Sequence, residues 1–159
     1  MDGGIMETSS LQKNKVLYTI GFTGKSAEEF FSLLKRSGVR ILLDIRLNNV
    51  SQLAGFTKGK DLSYFVKAIL DGKYYHITDL APTKELLKKY QADENWQTYE
   101  KEFIALLEKR NVENKIQPEL LKGPTVLLCS EKTSEKCHRR LTAEYLQKKL
   151  LSDYTIEHL

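Results

Sequence analysis

Short apolar runs alternate with amphipathic stretches from Val16 to the end of the chain, and each change of period marks a change of element. Val16 to Gly21 (VLYTIG) is β-branched-rich and closes on glycine, as a strand does. Ser26 followed three residues on by Glu29 fits a capping box, and the helix it opens buries Phe30, Leu33 and Leu34 and stops at Gly38. Val39 to Ile45 is almost continuously apolar, which suits a strand covered on both faces of a parallel sheet. Residues 48–60 read as a loop. Asp61 then caps a helix carrying Leu62, Phe65, Val66, Ile69 and Leu70, and Lys73 to Ile77 is a third short strand. Pro82 opens another helix. Asn95 to Arg110 is a long one whose Trp96, Tyr99, Phe103, Leu106 and Leu107 recur at helical spacing and read as core packing. Thr125 to Cys129 (TVLLC) is a fourth strand, a helix is expected from about Glu135 to Leu151, and Tyr154 to Leu159 is the last strand. This alternation predicts an α/β fold: an open, mainly parallel three-layer sheet flanked by helices, Rossmann-like or flavodoxin-like.

Composition narrows the picture. A chain of 159 residues with 41% hydrophobic residues can bury a core without staples, and residues 15–159 are read as one domain behind a disordered tail, 1–14. The tail lacks the apolar segment of a secretion signal, no stretch is long and apolar enough to span a membrane, and there are only two cysteines; together these point to the cytoplasm. The net charge of +4 is compatible with an anionic partner without requiring one, and nothing in the pattern sets an oligomeric state.

Candidate chemistry follows from where polar residues interrupt the strands. In open α/β sheets ligands bind beyond the carboxyl ends of the strands. There the second strand delivers Asp44 and Arg46, the third His76 and Asp79, and the fourth Cys129 and Glu131. Residues two apart in a strand share a face, so Asp44 pairs with Arg46 and Cys129 with Glu131. The Asp44–Arg46 couple reads equally as an internal salt bridge. Gly21 to Gly24 falls short of a dinucleotide fingerprint and reads as a turn. His138, Arg139 and Arg140 stand near the start of a helix, where cations oppose the macrodipole. Either internal carboxylates or a bound phosphate or carboxylate would offset them. The same surroundings are expected to lower the pKa of Cys137, while Cys129 reads either as a nucleophile or as a small buried core residue. The Cys129–Cys137 spacing is poor for zinc, which favours closer pairs, although a site from Cys129, Cys137, His138 and a distant histidine is conceivable. His158 is expected to cap the last strand or pack against it.

Taken in order, TIGFTG (19–24), LLDIR (42–46), YYH (74–76), CSEKTSEKCHRR (129–140) and EHL (157–159) resemble the DUF488 family, whose function is uncharacterised. Cys129-x-Glu131 followed by Cys137-His138-Arg139 is similar to that family's CxE…CHR signature, and the resemblance implies a compact α/β domain. The chain departs from the pattern at Phe22, where members often carry histidine. It departs again at Asn48, Asn49, Val50 and Gln52, in a stretch where proline and arginine are usual, and at Ala81-Pro82, in place of a glycine pair.

The reading that results is an enzyme acting on an anionic, phosphate-bearing substrate, with nucleotides or nucleic acid the natural class. Cys129, Glu131 and Asp44 are expected to be catalytic, and His138, Arg139 and Arg46 to hold the anion. Cys137 is a second candidate nucleophile or ligand, no metal is assigned, and the residues name no particular cofactor. The alternatives are a non-catalytic nucleic-acid-binding module, which would need a broad basic face, and a thiol redox or metal-binding protein. The last requires the two cysteines to come within bonding or shared-ligand distance.

Overall fold

The computed structural model describes residues 15–50 and 54–159; the proposed tail, 1–14, and Gln52 lie outside them. Five strands form one sheet: β1 (Val16–Gly21), β2 (Ile41–Asp44), β3 (Lys73–His76), β4 (Thr125–Cys129) and β5 (Thr155–His158). Their order is β3-β2-β4-β1-β5, and every neighbouring pair is parallel. Six helices flank it: α1 (Ala27–Arg36), α2 (Gly59–Leu70), α3 (Lys84–Asp93), α4 (Trp96–Arg110), α5 (Val112–Lys115) and α6 (His138–Lys149).

The two faces of the sheet build two cores. Tyr18, Ile20, Leu42, Val126 and Leu128 pack against Phe30, Phe31 and Leu34 of α1 and Leu62 and Val66 of α2. The alternate residues Leu17, Leu43, Leu127 and Cys129 pack against Tyr99, Phe103 and Leu107 of α4 and Leu141 and Leu146 of α6. The result is a three-layer α/β fold. The central strands are apolar on both faces because both faces are covered, as the run of Val39 to Ile45 anticipated.

Several ends differ from the periodic reading, each for a local reason. Ser26 does cap α1, its hydroxyl accepting from Glu29 N at 3.2 Å. Asp61, however, lies inside the first turn of α2, which starts at Gly59. Pro82 lies before α3 rather than in its first turn, since Thr83 is the N-cap, its hydroxyl accepting from Leu86 N. Helix α6 begins at His138, three residues later than expected, because Cys137 is its N-cap. Four-residue α5 is too short to leave a periodic signal.

Strand order positions the site. Strand β4 inserts between β1 and β2, so the carboxyl ends of three strands lie side by side, with Gly21 opposite Cys129 and Asp44 opposite Leu128.

Candidate functional site

Cys129 ends β4 facing α4 and α6, and the following loop returns Cys137 to it, so that the two sulfurs lie 2.6 Å apart. The Cys137 sulfur also caps α6, accepting from Arg139 N in its first turn at 3.4 Å. The positive end of the helix therefore bears on this pair of sulfurs.

The three cations that open α6 are all engaged by protein groups. His138 donates Nε2–H to the Ile45 carbonyl at 2.8 Å. A carbonyl only accepts, so the proton resides on Nε2, and Nδ1 is the nitrogen left for the hydrogen bond His138 makes with Cys129. Arg139 is 1% exposed. Its guanidinium donates to the Glu131 carbonyl at 2.5 Å and to Thr19 Oγ1 at 3.3 Å, and it stands 3.9 Å from the Cys137 sulfur. Thr19 Oγ1 also shares a hydrogen bond with His158 Nδ1 at 2.6 Å, and burial, with Arg139 nearby, lowers the His158 pKa. Arg140 points outward to the Glu135 carbonyl and Glu144, with its guanidinium over the Trp96 ring. His138 and Arg139 are thus held by carbonyls, a hydroxyl and a sulfur, and Arg140 alone meets a carboxylate among the described residues. Arg139 acts on the sulfurs and on the Glu131 loop from behind the wall of the site.

The electrostatics separate the two cysteines. Burial alone would push the Cys129 thiol up, but the Cys137 S–H, the His138 imidazole and the Glu131 amide all stabilise its thiolate and hold its pKa well below the ordinary thiol range. Cys137 is pushed up, first by donating to Cys129 and then by burial. Burial would lower His138, but the neighbouring Cys129 and the Ile45 carbonyl together raise it. The lowering that the sequence assigns to Cys137 therefore falls on Cys129. The imidazole that favours the Cys129 thiolate sits on the Cys129 side of the pair.

Asp44 and Arg46 occupy the other face. Asp44 is opposite Leu128, not Cys129, so strand alternation turns it toward α1 and α2. It is 0% exposed. Its carboxylate accepts from Arg46 Nε at 2.8 Å, Arg46 NH2 at 2.7 Å, the Arg46 amide at 3.2 Å and the Tyr74 hydroxyl at 2.5 Å. Here the internal salt bridge is the arrangement found: a carboxylate this saturated has no lone pair free for acid–base work. Its couple shapes the loop after β2, whose Ile45 carbonyl orients His138 and whose Arg46 carbonyl accepts from His76 Nε2 at 2.7 Å.

Cys129, Cys137 and His138 open onto a cleft of ≈ 290 Å³ beyond the end of β4. One wall is aromatic, from Tyr90, Trp96 and Tyr99, with Trp96 stacked on Tyr99 at 5.2 Å. Arg46, Glu131 and Lys136 contribute charge, whereas Asp44 and Arg139 do not line it. Sequence reasoning assigned the aromatic stripe to the core alone. Tyr99 and Phe103 are core, but Trp96, in the first turn of α4, is only half-buried and lines the cleft. Phe22, Asn48 and Pro82, three of the positions where the chain departs from the pattern it resembles, also line it.

Glu131 is exposed at the rim, and its anchoring is through its backbone, by the amide toward Cys129 and the carbonyl toward Arg139. Replacing it with glutamine should therefore change stability by no more than about 0.5 kcal/mol, as surface substitutions do. Denaturant melting checks this; a loss of ~3–5 kcal/mol would instead signal a buried Glu131–Arg139 pair.

The ligand atoms of Cys129, Cys137 and His138 all lie within 4.8 Å of one another, which makes them a candidate three-residue metal group. Among the described residues no helix is long and apolar enough to cross a membrane. Comparison with the curated proteins and with the solved structures found no match. A family model described as "Domain of unknown function DUF488" matches residues 26–146, which include β2, β3, β4, both cysteines and the start of α6. Since that match spans most of the chain, the protein belongs to the DUF488 family.

Proposed function

We propose that this protein is an enzyme whose nucleophile is Cys129 and whose proton carrier is His138, acting on a small anionic substrate with a flat ring, of which mononucleotides are the natural class. The observation that carries this reading is the Cys129–His138 pair on the floor of the cleft, with sulfur and ring nitrogen within 4.8 Å of each other and the imidazole held from behind by the Ile45 carbonyl. A nucleophile, a base beside it and a third group orienting that base are what thiol catalysis needs. The Cys129 thiolate attacks an electrophilic carbon of the substrate. His138 delivers its Nδ1 proton to the leaving group and then, neutral, takes a proton from the water that releases the product, while Nε2 stays on Ile45 throughout.

The substrate class follows from the walls. Tyr90, Trp96 and Tyr99 line one wall with aromatic surface against which a flat ring packs. Lys136 supplies positive charge, as does Arg46, whose buried NH1 has no hydrogen-bond partner among the described residues. A cleft of ≈ 290 Å³ sits at the small end of the ~300–1,000 Å³ typical of ligand sites, so it takes one nucleotide-sized group rather than a duplex.

The test is alkylation by iodoacetamide, mapped by mass spectrometry. Because folded Cys129 holds its proton more weakly than an ordinary thiol, its thiolate survives as pH falls until the folded value is crossed. The rate at pH 6 should stay within a few-fold of that at pH 8, where a free thiol would slow about 100-fold. His138→Gln should restore the ordinary fall. The four ribonucleoside monophosphates should slow labelling, and Cys129→Ser should abolish any turnover found. Labelling that falls with pH like a free thiol, or that lands on Cys137, overturns the nucleophile assignment. Labelling indifferent to all four nucleotides overturns the substrate class.

A further inference from the structure

We propose that Cys129 and Cys137 are a peroxide-oxidisable pair that closes to a reversible disulfide, with Cys129 the oxidised sulfur and Cys137 the resolving one. Three observations place them for it. Their sulfurs lie 2.6 Å apart, so nothing stands between them. Both line the cleft, so a small oxidant reaches them although neither exposes much surface. Each is held by backbone on its own side, Cys129 at the end of β4 and Cys137 as the N-cap of α6. In the nucleophilic reading Cys137 only supports Cys129 and takes no part in the bond changes, yet it is the thiol in direct contact with the nucleophile.

The chemistry balances with a hydroperoxide as oxidant. The Cys129 thiolate attacks the distal oxygen; an S–O bond forms, the O–O bond breaks, and the leaving alkoxide or hydroxide takes a proton from the His138 imidazolium. Cys129 is now a sulfenic acid. The Cys137 sulfur attacks it; the S–S bond forms, the S–O bond breaks, and hydroxide leaves with the Cys137 proton as water. In sum, two thiols and one hydroperoxide give a disulfide, an alcohol or water, and water. An external dithiol returns two electrons by exchange. The consequence for catalysis, loss of the attacking thiolate while the disulfide stands, rests on the proposed function; the disulfide itself does not.

The test uses the full chain, purified reduced and treated with a chelator, so that it starts with two free thiols and no metal on the Cys129–Cys137–His138 group. One equivalent of hydrogen peroxide should remove both thiols and lower the intact mass by about 2 Da, and dithiothreitol should restore them. Cys137→Ser should stop at a dimedone-trappable sulfenic acid on Cys129, about 16 Da heavier. Cys137→Ala repeats the measurement should the serine variant not fold. Overturning results are two thiols left after peroxide, over-oxidation of Cys129 in the wild type without the lighter species, or disulfides only between chains. Because the readout is mass and needs no substrate, it fails or succeeds independently of the enzyme reading.

Discussion

Asp44→Ala should destabilise the protein by about 3–5 kcal/mol, the cost of breaking a buried ion pair from one side. The substitution removes the acceptor of four hydrogen bonds at once and leaves the Arg46 guanidinium, 5% exposed, without its counter-charge. Its remaining partner is the Thr57 carbonyl, which Arg46 NH2 reaches at 2.6 Å; a neutral acceptor cannot replace a carboxylate. Removing both charges, as Asp44→Leu with Arg46→Leu, should cost less than Asp44→Ala alone, since no buried charge is stranded. Urea unfolding of the two variants decides it. A single-variant loss below about 1 kcal/mol would put the pair in the class of exposed ion pairs and remove it as the anchor of the loop. The effect should reach the site as well: Ile45, which orients His138, sits between the two charged residues, so the Asp44→Ala protein should show a weakened low-pH reactivity of Cys129 even where it stays folded.

The alternation of elements was legible because each strand is short and apolar and each helix carries its own stripe, so local periodicity was enough to name the α/β class. What relates one strand to another was less so. Period two says that Asp44 and Arg46 share a face and that Cys129 and Glu131 do; it does not say whether these faces coincide. Register decides that, and by setting Asp44 against Leu128 it puts the two couples on opposite sides of the sheet. The partner of His138 was illegible for a different reason. It is a main-chain carbonyl 93 residues away, and a backbone acceptor leaves no mark on residue identity. The contact of Cys129 with Cys137 depends on the path of a loop whose spacing matches no familiar pair motif. Trp96 shows the limit of the periodic argument itself: the stripe that reads as core begins in the first turn of α4 with a half-buried residue that forms a cleft wall.

Gly21→Ala is the substitution expected to disturb fold and site together, because a methyl group there has nowhere to go. A Cβ on Gly21 would stand 1.6 Å from the Glu131 carbonyl oxygen and 2.6 Å from Arg139 NH1. The requirement is for space, not for an unusual backbone angle: Gly21 closes a regular strand opposite Cys129. Nor can the neighbour yield cheaply. The Glu131 carbonyl is held by Arg139, the adjacent Ser130 carbonyl accepts from Thr23 N at 3.1 Å, and the Gly21 carbonyl is itself bound by Lys25 Nζ at 2.9 Å. Making room means pushing the Glu131 loop off β1, which strands the buried Arg139 guanidinium and loosens the amide that supports the Cys129 thiolate. Overpacking costs typically ~1–3 kcal/mol, and an unsatisfied buried donor roughly as much again, so a loss of about 3 kcal/mol or more is expected. Gly24→Ala is the control. Its φ of +78° makes alanine strained, but its nearest neighbour is the flexible Lys132 side chain at 3.4 Å, so about 1 kcal/mol is expected. Urea unfolding measures both, and iodoacetamide labelling of the folded Gly21→Ala protein at pH 6 reads the site. If Gly21→Ala melts within about 1 kcal/mol of the wild type and still labels at pH 6, the Glu131 loop does not lie against β1, and Arg139 does not position the cysteines through it.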